Sequence, residues 1–231
     1  LLTEQYGYIS SIDSDGFSGA AGISGSDPID YFNESGSTYA SWNWLAGGSA
    51  PSQTYTVKVV SDGGNKYRFN DFGTSAVTLD LQEGGTYTFD QSDSSNSGHP
   101  LRFSTTSDGT HGGGSEYTTN VTTTGTAGSA GAKTVITVAA SAPQLYYYCS
   151  VHSAMGGSAN TNSTFGSSNF SGSIQSTVSA NTTAGFSIVS YTGTGSAATV
   201  GHGLGVAPSL IINKCRSATQ NWATYHAGIG A

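Results

Sequence analysis

Short alternations of apolar and polar residues, separated by glycine-rich turns, dominate the middle of this chain. An apolar residue at every second position is typical of a strand that buries one face. The clearest runs predict strands at Tyr55–Val60, Tyr67–Phe69, Val77–Leu81, Thr86–Phe89, Leu101–Ser104, Thr134–Val138 and Leu145–Cys149. Their spacing favours an all-β fold with a β-sandwich over residues 54–161. The long polar stretch Thr105–Ala132 predicts a surface loop or a contact element.

The pattern continues on both sides of this region. Trp42 and Trp44 share one face of an alternating segment, which predicts a strand, and Phe186–Tyr191 alternates in the same way. The residues between the sandwich and Phe186–Tyr191 are rich in Ser, Thr and Asn, and a further strand is predicted among them at Ser173–Val178. We therefore divide the chain into residues 1–48, a linker at 49–53, the sandwich at 54–161, a connector at 162–184 and a last part at 185–231.

Composition excludes several classes of protein. Only 9% of the 231 residues are charged and 33 are glycine, which leaves little material for amphipathic helices. The Lys and Arg residues number 7, they are scattered, and the net charge is −7, so a nucleic-acid partner is not expected. No apolar run approaches the roughly 20 residues that span a bilayer, so membrane insertion is not expected either.

The densest group of metal-binding residue types follows the last predicted strand of the sandwich. Cys149, His152 and Met155 lie close together in sequence, at a strand end and on the loop after it. Two imidazoles, a thiolate and a weak, distant thioether favour copper in a trigonal site. The second imidazole must come from elsewhere, and we prefer His99 to His111, because a lone His in a glycine-rich loop is usually just exposed.

These residues resemble the ligand motifs of the cupredoxins. The segment His99–Phe103 matches their His-x-x-x-Phe strand, Cys149–Met155 is similar to the short copper loop of the amicyanins, and Val77–Phe89 is similar to a cupredoxin hairpin. The resemblance spans Thr54–Thr161. It implies a Greek-key β-sandwich with His99, Cys149, His152 and Met155 as copper ligands. The alternative is that the fold was kept and the metal was lost.

The cysteines and the first residues give two further expectations. A disulfide between Cys149 and Cys215 would remove the metal site, so we expect both thiols to remain free. The chain begins at Leu1 without a signal peptide, and we expect it to be a processed product or part of a longer polypeptide.

No motif supports an enzyme. The glycines of Gly201–Gly205 precede an apolar run instead of a helix, which argues against a dinucleotide site. The segment His111–Gly114 is similar to an esterase oxyanion loop, but no Gly-x-Ser-x-Gly elbow accompanies it.

A second resemblance covers the two ends of the chain. Gly185–Gly193, Gly201–Pro208 and Trp42–Gly48 look like parts of the repeated β-modules in tail-fibre and other structural proteins of marine bacteriophages. The resemblance implies that residues 1–48 end one module and that residues 185–231 begin another. It also implies a virion or extracellular location, with copies of this chain, other virion proteins and a host cell-surface receptor as candidate partners.

Two functions therefore remain. The first is a structural or adhesive component of a virion, in which copper is a stabilising staple or a relic. The second is a type 1 copper protein for one-electron transfer. The low charge and the fibre-like flanks favour the first.

Overall fold

The computed structural model describes residues 8–13, 16–20, 50–161 and 166–229. The chain divides into two units, Leu1–Leu45 and Ala46–Ala231. In the first unit, strands β1 (Tyr8–Asp13) and β2 (Gly16–Ala20) form an antiparallel hairpin. The predicted strand around Trp42 and Trp44 lies outside the described residues.

Two β-sheets form the central part of the second unit. Their strands are β3 (Ser52–Ser61), β4 (Asn65–Phe69), β5 (Leu79–Asp80), β6 (Thr86–Asp90), β7 (Leu101–Ser104), β8 (Val121–Thr124), β9 (Lys133–Thr137), β10 (Leu145–Cys149) and β11 (Gly157–Asn160). One sheet has the order β4-β3-β6-β9-β8 and the other has the order β5-β11-β10-β7. The pairs β3–β6 and β5–β11 are parallel, and the other neighbours are antiparallel.

The two sheets enclose an aromatic core. Buried and half-buried residues alternate along β6, as a strand with one inward face requires. The five-stranded sheet contributes Tyr55, Tyr67, Phe69, Tyr87 and Phe89 to the core, and the four-stranded sheet contributes Leu101, Phe103, Leu145 and Tyr147. This arrangement is a β-sandwich.

The predicted all-β fold is confirmed for the part of the chain that the structure describes. Its helical segments are two short 3-10 turns, Ser94–Asn96 and Gly109–Gly112. Within the same residues, no helix has the length and hydropathy needed to cross a bilayer.

Two strands of the sandwich have no clear signal in the sequence. Strand β8 lies inside the stretch Thr105–Ala132, which the sequence predicts to be a polar loop. Its threonines are mainly exposed and give no alternating pattern, and the strand forms through backbone pairing with β9. Strand β11 consists of small and polar residues, yet it lies between β5 and β10. In addition, β3 begins at Ser52, within the predicted linker 49–53.

Two further sheets follow the sandwich in the same unit. Strands β12 (Ser167–Asn169), β13 (Ser176–Asn181) and β14 (Phe186–Tyr191) form one antiparallel sheet, and β15 (Leu210–Asn213) and β16 (Ala223–His226) form an antiparallel ribbon. Strands β12 and β13 lie in the predicted connector, and the strand predicted at Ser173–Val178 instead runs from Ser176 to Asn181. The buried positions of these strands include serines, namely Ser167, Ser168 and Ser176, so no apolar alternation marks the strands in the sequence.

The start of the three-stranded sheet packs against the core of the sandwich. The Tyr55 hydroxyl donates to the Ser168 carbonyl at 2.8 Å, and the hydroxyls of Tyr87 and Ser167 are 2.7 Å apart. The Phe170 ring lies 5.6 Å from the Tyr55 ring and is 7% exposed. Residues 167–170 therefore complete the packing of the sandwich core.

Candidate metal centre

The pairing of two strands brings the first predicted ligand to the others. Strands β7 and β10 are antiparallel, with Leu101 opposite Cys149. The Ser150 N–H also donates to the Pro100 carbonyl at 3.1 Å. His99 therefore lies beside the start of the segment 149–155, which we call the ligand loop.

Three of the predicted ligands converge at this point. The Cys149 sulfur is 3.9 Å from Nδ1 of His99 and 3.9 Å from Nδ1 of His152. All three potential donor atoms lie within 4.8 Å of one another, and the two imidazole rings are 4.6 Å apart. Bonds of about 2.3 Å to sulfur and 2.0–2.1 Å to nitrogen, meeting at 120°, would separate the two atoms by about 3.8 Å. The spacing therefore suits a metal ion with trigonal coordination, and the group can hold one.

Each of the three residues has a different exposure. Cys149 is fully buried at the end of β10 and forms no disulfide, His99 is half-buried, and His152 is exposed. The backbone N–H of His152 points at the Cys149 sulfur, at 3.4 Å. This contact turns the ligand loop back over the thiol.

Buried polar side chains that sequence analysis missed hold His99 in place. The His99 carbonyl accepts hydrogen bonds from the Tyr67 hydroxyl at 2.8 Å and from Nε2 of Gln91 at 2.9 Å. The Gln91 side chain also accepts from the Leu101 N–H at 2.9 Å. Gln91 is 2% exposed. The sequence signal for its role in holding His99 is a long polar side chain directly after an alternating strand.

The environment of His99 favours the form of imidazole that binds metals. Burial, and secondarily the nearby His152 ring, lowers the pKa of His99. The neutral imidazole is the ligating form. Metal binding at this residue therefore has less competition from protons.

Met155 is buried and lines the same cavity as His152. It is 1% exposed and belongs to the sandwich core, and its carbonyl accepts from the Tyr67 N–H at 3.0 Å. Gly156 follows it without space for a side chain, because a Cβ there would lie 1.8 Å from the Tyr147 carbonyl oxygen. An open cavity of about 470 Å³ lies beside the group and is lined by Asn65, His111, Val151, His152, Ser153 and Met155.

The other candidate residues do not join the group of donors. The structure brings His99 rather than His111 to the Cys149 sulfur, whereas Nε2 of His111 lies 3.0 Å from the Cys149 carbonyl oxygen. Cys215 is exposed and remains a free thiol, so the structure contains no Cys149–Cys215 disulfide. A hydrogen bond from Ser217 is the main cause that lowers the pKa of Cys215.

Comparison with known proteins gives one match. The family described as a domain of unknown function (DUF7483) matches residues 158–231. No curated protein and no solved structure matches the chain. The matched range begins within β11 and leaves His99, Cys149, His152 and Met155 outside it.

Proposed function

We propose that residues 54–161 form a cupredoxin-like domain that binds copper through His99, Cys149 and His152, with Met155 as a weak fourth ligand. The observation that carries the proposal is the 3.9 Å spacing of the Cys149 sulfur from both imidazole nitrogens. The ligand motifs in the sequence support the same conclusion independently.

The donor set favours copper over zinc. Thiolate and thioether sulfur are soft ligands, and two imidazoles beside one thiolate suit a trigonal copper site. Divalent copper also binds more tightly than zinc to most sites of nitrogen and sulfur donors. Structural zinc sites are normally tetrahedral and are not built with a thioether. The thioether of Met155, a buried residue that lines the same cavity as His152, therefore favours copper.

The residues in and around the proposed copper site have separate roles. The two sheets keep water from the Cys149 sulfur, and the bonds to the His99 carbonyl fix the position of that ligand. His152 is exposed at the surface beside the cavity. Copper at such a site would supply one-electron transfer as its chemistry.

Titration of the reduced, metal-free protein with Cu²⁺ tests the proposal. It should be carried out with a Cys215→Ser variant, because the exposed Cys215 thiol is a competing copper ligand. We expect an intense visible absorption band from the thiolate–copper bond at one equivalent, and a higher melting temperature. A second change, Cys149→Ser, should remove the band. If the Cys215→Ser protein shows neither band nor stabilisation, the proposal is wrong.

We propose, as a second function, that the chain is a structural component of an extracellular assembly such as a virion fibre, in contact with copies of itself. The observation that favours it is the apolar surface of the ribbon β15–β16. Exposed large side chains include Leu210, Ile211, Ile212 and Tyr225 on the ribbon and Trp222 just before β16. A two-stranded ribbon is marginally stable in isolation, and strand edges readily pair with other chains. Neighbouring copies would cover these residues.

Sedimentation over a range of concentrations tests the second function. We expect the protein to form a defined oligomer, and Ile212→Lys, at a residue that is 51% exposed, should lower its mass. A matched control is Thr194→Lys, which places the same charge on an exposed residue outside the ribbon. If the protein is monomeric at every concentration, this second function is wrong. The copper proposal does not depend on that result.

A further inference from the structure

The loop after β7 folds back on itself and forms a compact cover. We call residues 105–116 the cover loop. At its base Ser104 pairs with Glu116, the Ser104 hydroxyl donates to the Ser115 carbonyl at 2.7 Å, and Arg102 forms an ion pair with Glu116 at 3.2 Å. Within the loop, the Gly114 N–H donates to the Gly109 carbonyl at 2.9 Å. The cover loop is therefore held in one shape by its own contacts.

The cover loop contacts the ligand loop at both ends. The Asp108 carboxylate accepts from the Ala154 N–H at 2.8 Å, and Nε2 of His111 lies 3.0 Å from the Cys149 carbonyl. Because a carbonyl only accepts, the His111 nitrogen is the donor. Between these two contacts, the backbone at Gly109 rests on the Tyr148 ring so closely that a Cβ there would lie 2.4 Å from it.

The opposite side of the ligand loop is held by β4. The Lys66 ammonium donates to the Ala154 carbonyl, and the Tyr67 N–H donates to the Met155 carbonyl at 3.0 Å. Ala154 has a φ of 59°, a left-handed conformation that is unfavourable for alanine. The peptide groups of Ala154 thus have partners on two sides, which keep this residue in its unfavourable conformation.

We propose that Asp108 and His111 are positioning residues, which hold the ligand loop in its metal-binding shape before any metal is present. Neither side chain is a metal ligand, since each one bonds to the backbone of the ligand loop. Asp108 fixes the residue just before Met155, and His111 fixes the carbonyl of Cys149, so together they set how far Met155 lies from Cys149. The consequence for copper rests on the proposed copper site, whereas the positioning itself does not.

Hydrogen exchange at the Ala154 amide in the metal-free protein tests the positioning directly. Asp108 has a φ of 58°, so Asp108→Gly removes the carboxylate without straining the backbone, and Asp108→Asn keeps an acceptor in a residue that tolerates this φ. Asn120→Gly is the matched control, because Asn120 also has a left-handed φ of 54° and lies next to β8 in the other sheet.

We expect Asp108→Gly to speed exchange at Ala154 by about tenfold or more, the range for loss of a hydrogen bond to a charged group. With Asn120→Gly the amide should exchange at close to the original rate, and with Asp108→Asn at a rate between those of the original protein and Asp108→Gly, because Asn keeps an acceptor without the charge. If Asp108→Gly does not fold, as judged by its melting curve, His111→Ala and His111→Gln give a second comparison, because Gln retains an N–H donor.

Copper binding provides the second readout. His111→Ala and Asp108→Gly should weaken copper binding by about tenfold, as substitutions behind metal ligands do, and should shift the reduction potential. His111→Gln and Asp108→Asn should restore both. Unchanged exchange at Ala154 in Asp108→Gly and His111→Ala, with unchanged copper affinity, would overturn the inference. If the original protein binds no copper but Ala154 exchange responds as expected, the copper proposal fails and the positioning role stands.

Discussion

Replacing Phe170 by alanine should destabilise the β-sandwich, although Phe170 lies beyond its last strand. The ring is 7% exposed and packs against aromatic residues of the sandwich, 5.4 Å from Phe72, 5.6 Å from Tyr55 and 6.1 Å from Phe69. Its removal would leave a cavity that the fully buried rings of Tyr55 and Phe69 cannot fill by collapsing.

The size of the effect follows from this packing. Truncation of a buried Phe to Ala costs about 3–5 kcal/mol, including the cavity term. We expect about 3 kcal/mol at Phe170, because Phe72 on one side is only half-buried and can relax. For a folding unit of 150–250 residues, each kcal/mol lowers the melting temperature by about 2–4 °C, so the expected loss is about 6–12 °C.

Thermal unfolding followed by near-ultraviolet circular dichroism would measure this change, because the signal arises from the packed aromatic core. Phe170→Leu should lose less, since most of the volume is retained. The control Val206→Ala, at a residue that is 71% exposed, should change the melting temperature little.

A loss below about 1 kcal/mol for Phe170→Ala, or a loss no larger than that of Val206→Ala, would refute the argument. The residues after position 166 would then not contribute to the stability of the sandwich core.

Three further predictions concern the turn after the metal ligands, the fourth ligand and the core tyrosines. Gly156→Ala should destabilise the protein by about 3 kcal/mol in urea unfolding, since a Cβ would overlap the carbonyl of a neighbouring strand, whereas Gly73→Ala has open space and should not. Met155→Leu should keep copper binding within about tenfold while changing the reduction potential, because the axial ligand tunes it. Burial raises the pKa of Tyr55 and Tyr87, so both stay protonated in the folded protein while the unfolded chain ionises near pH 10. Tyr67, Tyr147 and Tyr148, whose pKa burial also raises, act in the same way, so this stabilisation is complete below pH 10 and is lost progressively above it. In urea unfolding, Tyr87→Phe should lower the slope of this loss by about 1.4 kcal/mol per pH unit.

The strongest strands could be predicted from sequence because their alternation is carried by large residues. Strands Leu101–Ser104 and Leu145–Cys149 agree with the prediction at both ends. Strand β11 could not be predicted in this way, because its side chains are too small to show which face is buried. Its position is determined by backbone pairing with β5 and β10, and the residue types of β11 do not indicate the register of that pairing.

The candidate site shows the same division. The types and order of the residues identified Cys149, His152 and Met155 as a group, since they share one loop. The positions of Asp108 and His111 could not be inferred, because a glycine-rich loop gives no indication of which surface it covers. His111 therefore resembled an ordinary exposed histidine, although its ring contacts the carbonyl of Cys149.

The place of β11 between β5 and β10 determines when the sandwich can be completed during synthesis. Ala159 pairs with Leu79, which the ribosome adds 80 residues earlier. At 5–20 residues per second, the β5 edge waits about 4–16 s for its partner. During this interval the edge of β5 that will face β11 is unpaired, and such edges readily join those of other chains. Slow decoding between these positions would extend the period of exposure, so codon choice over residues 79–159 should affect the yield of soluble protein without changing the sequence.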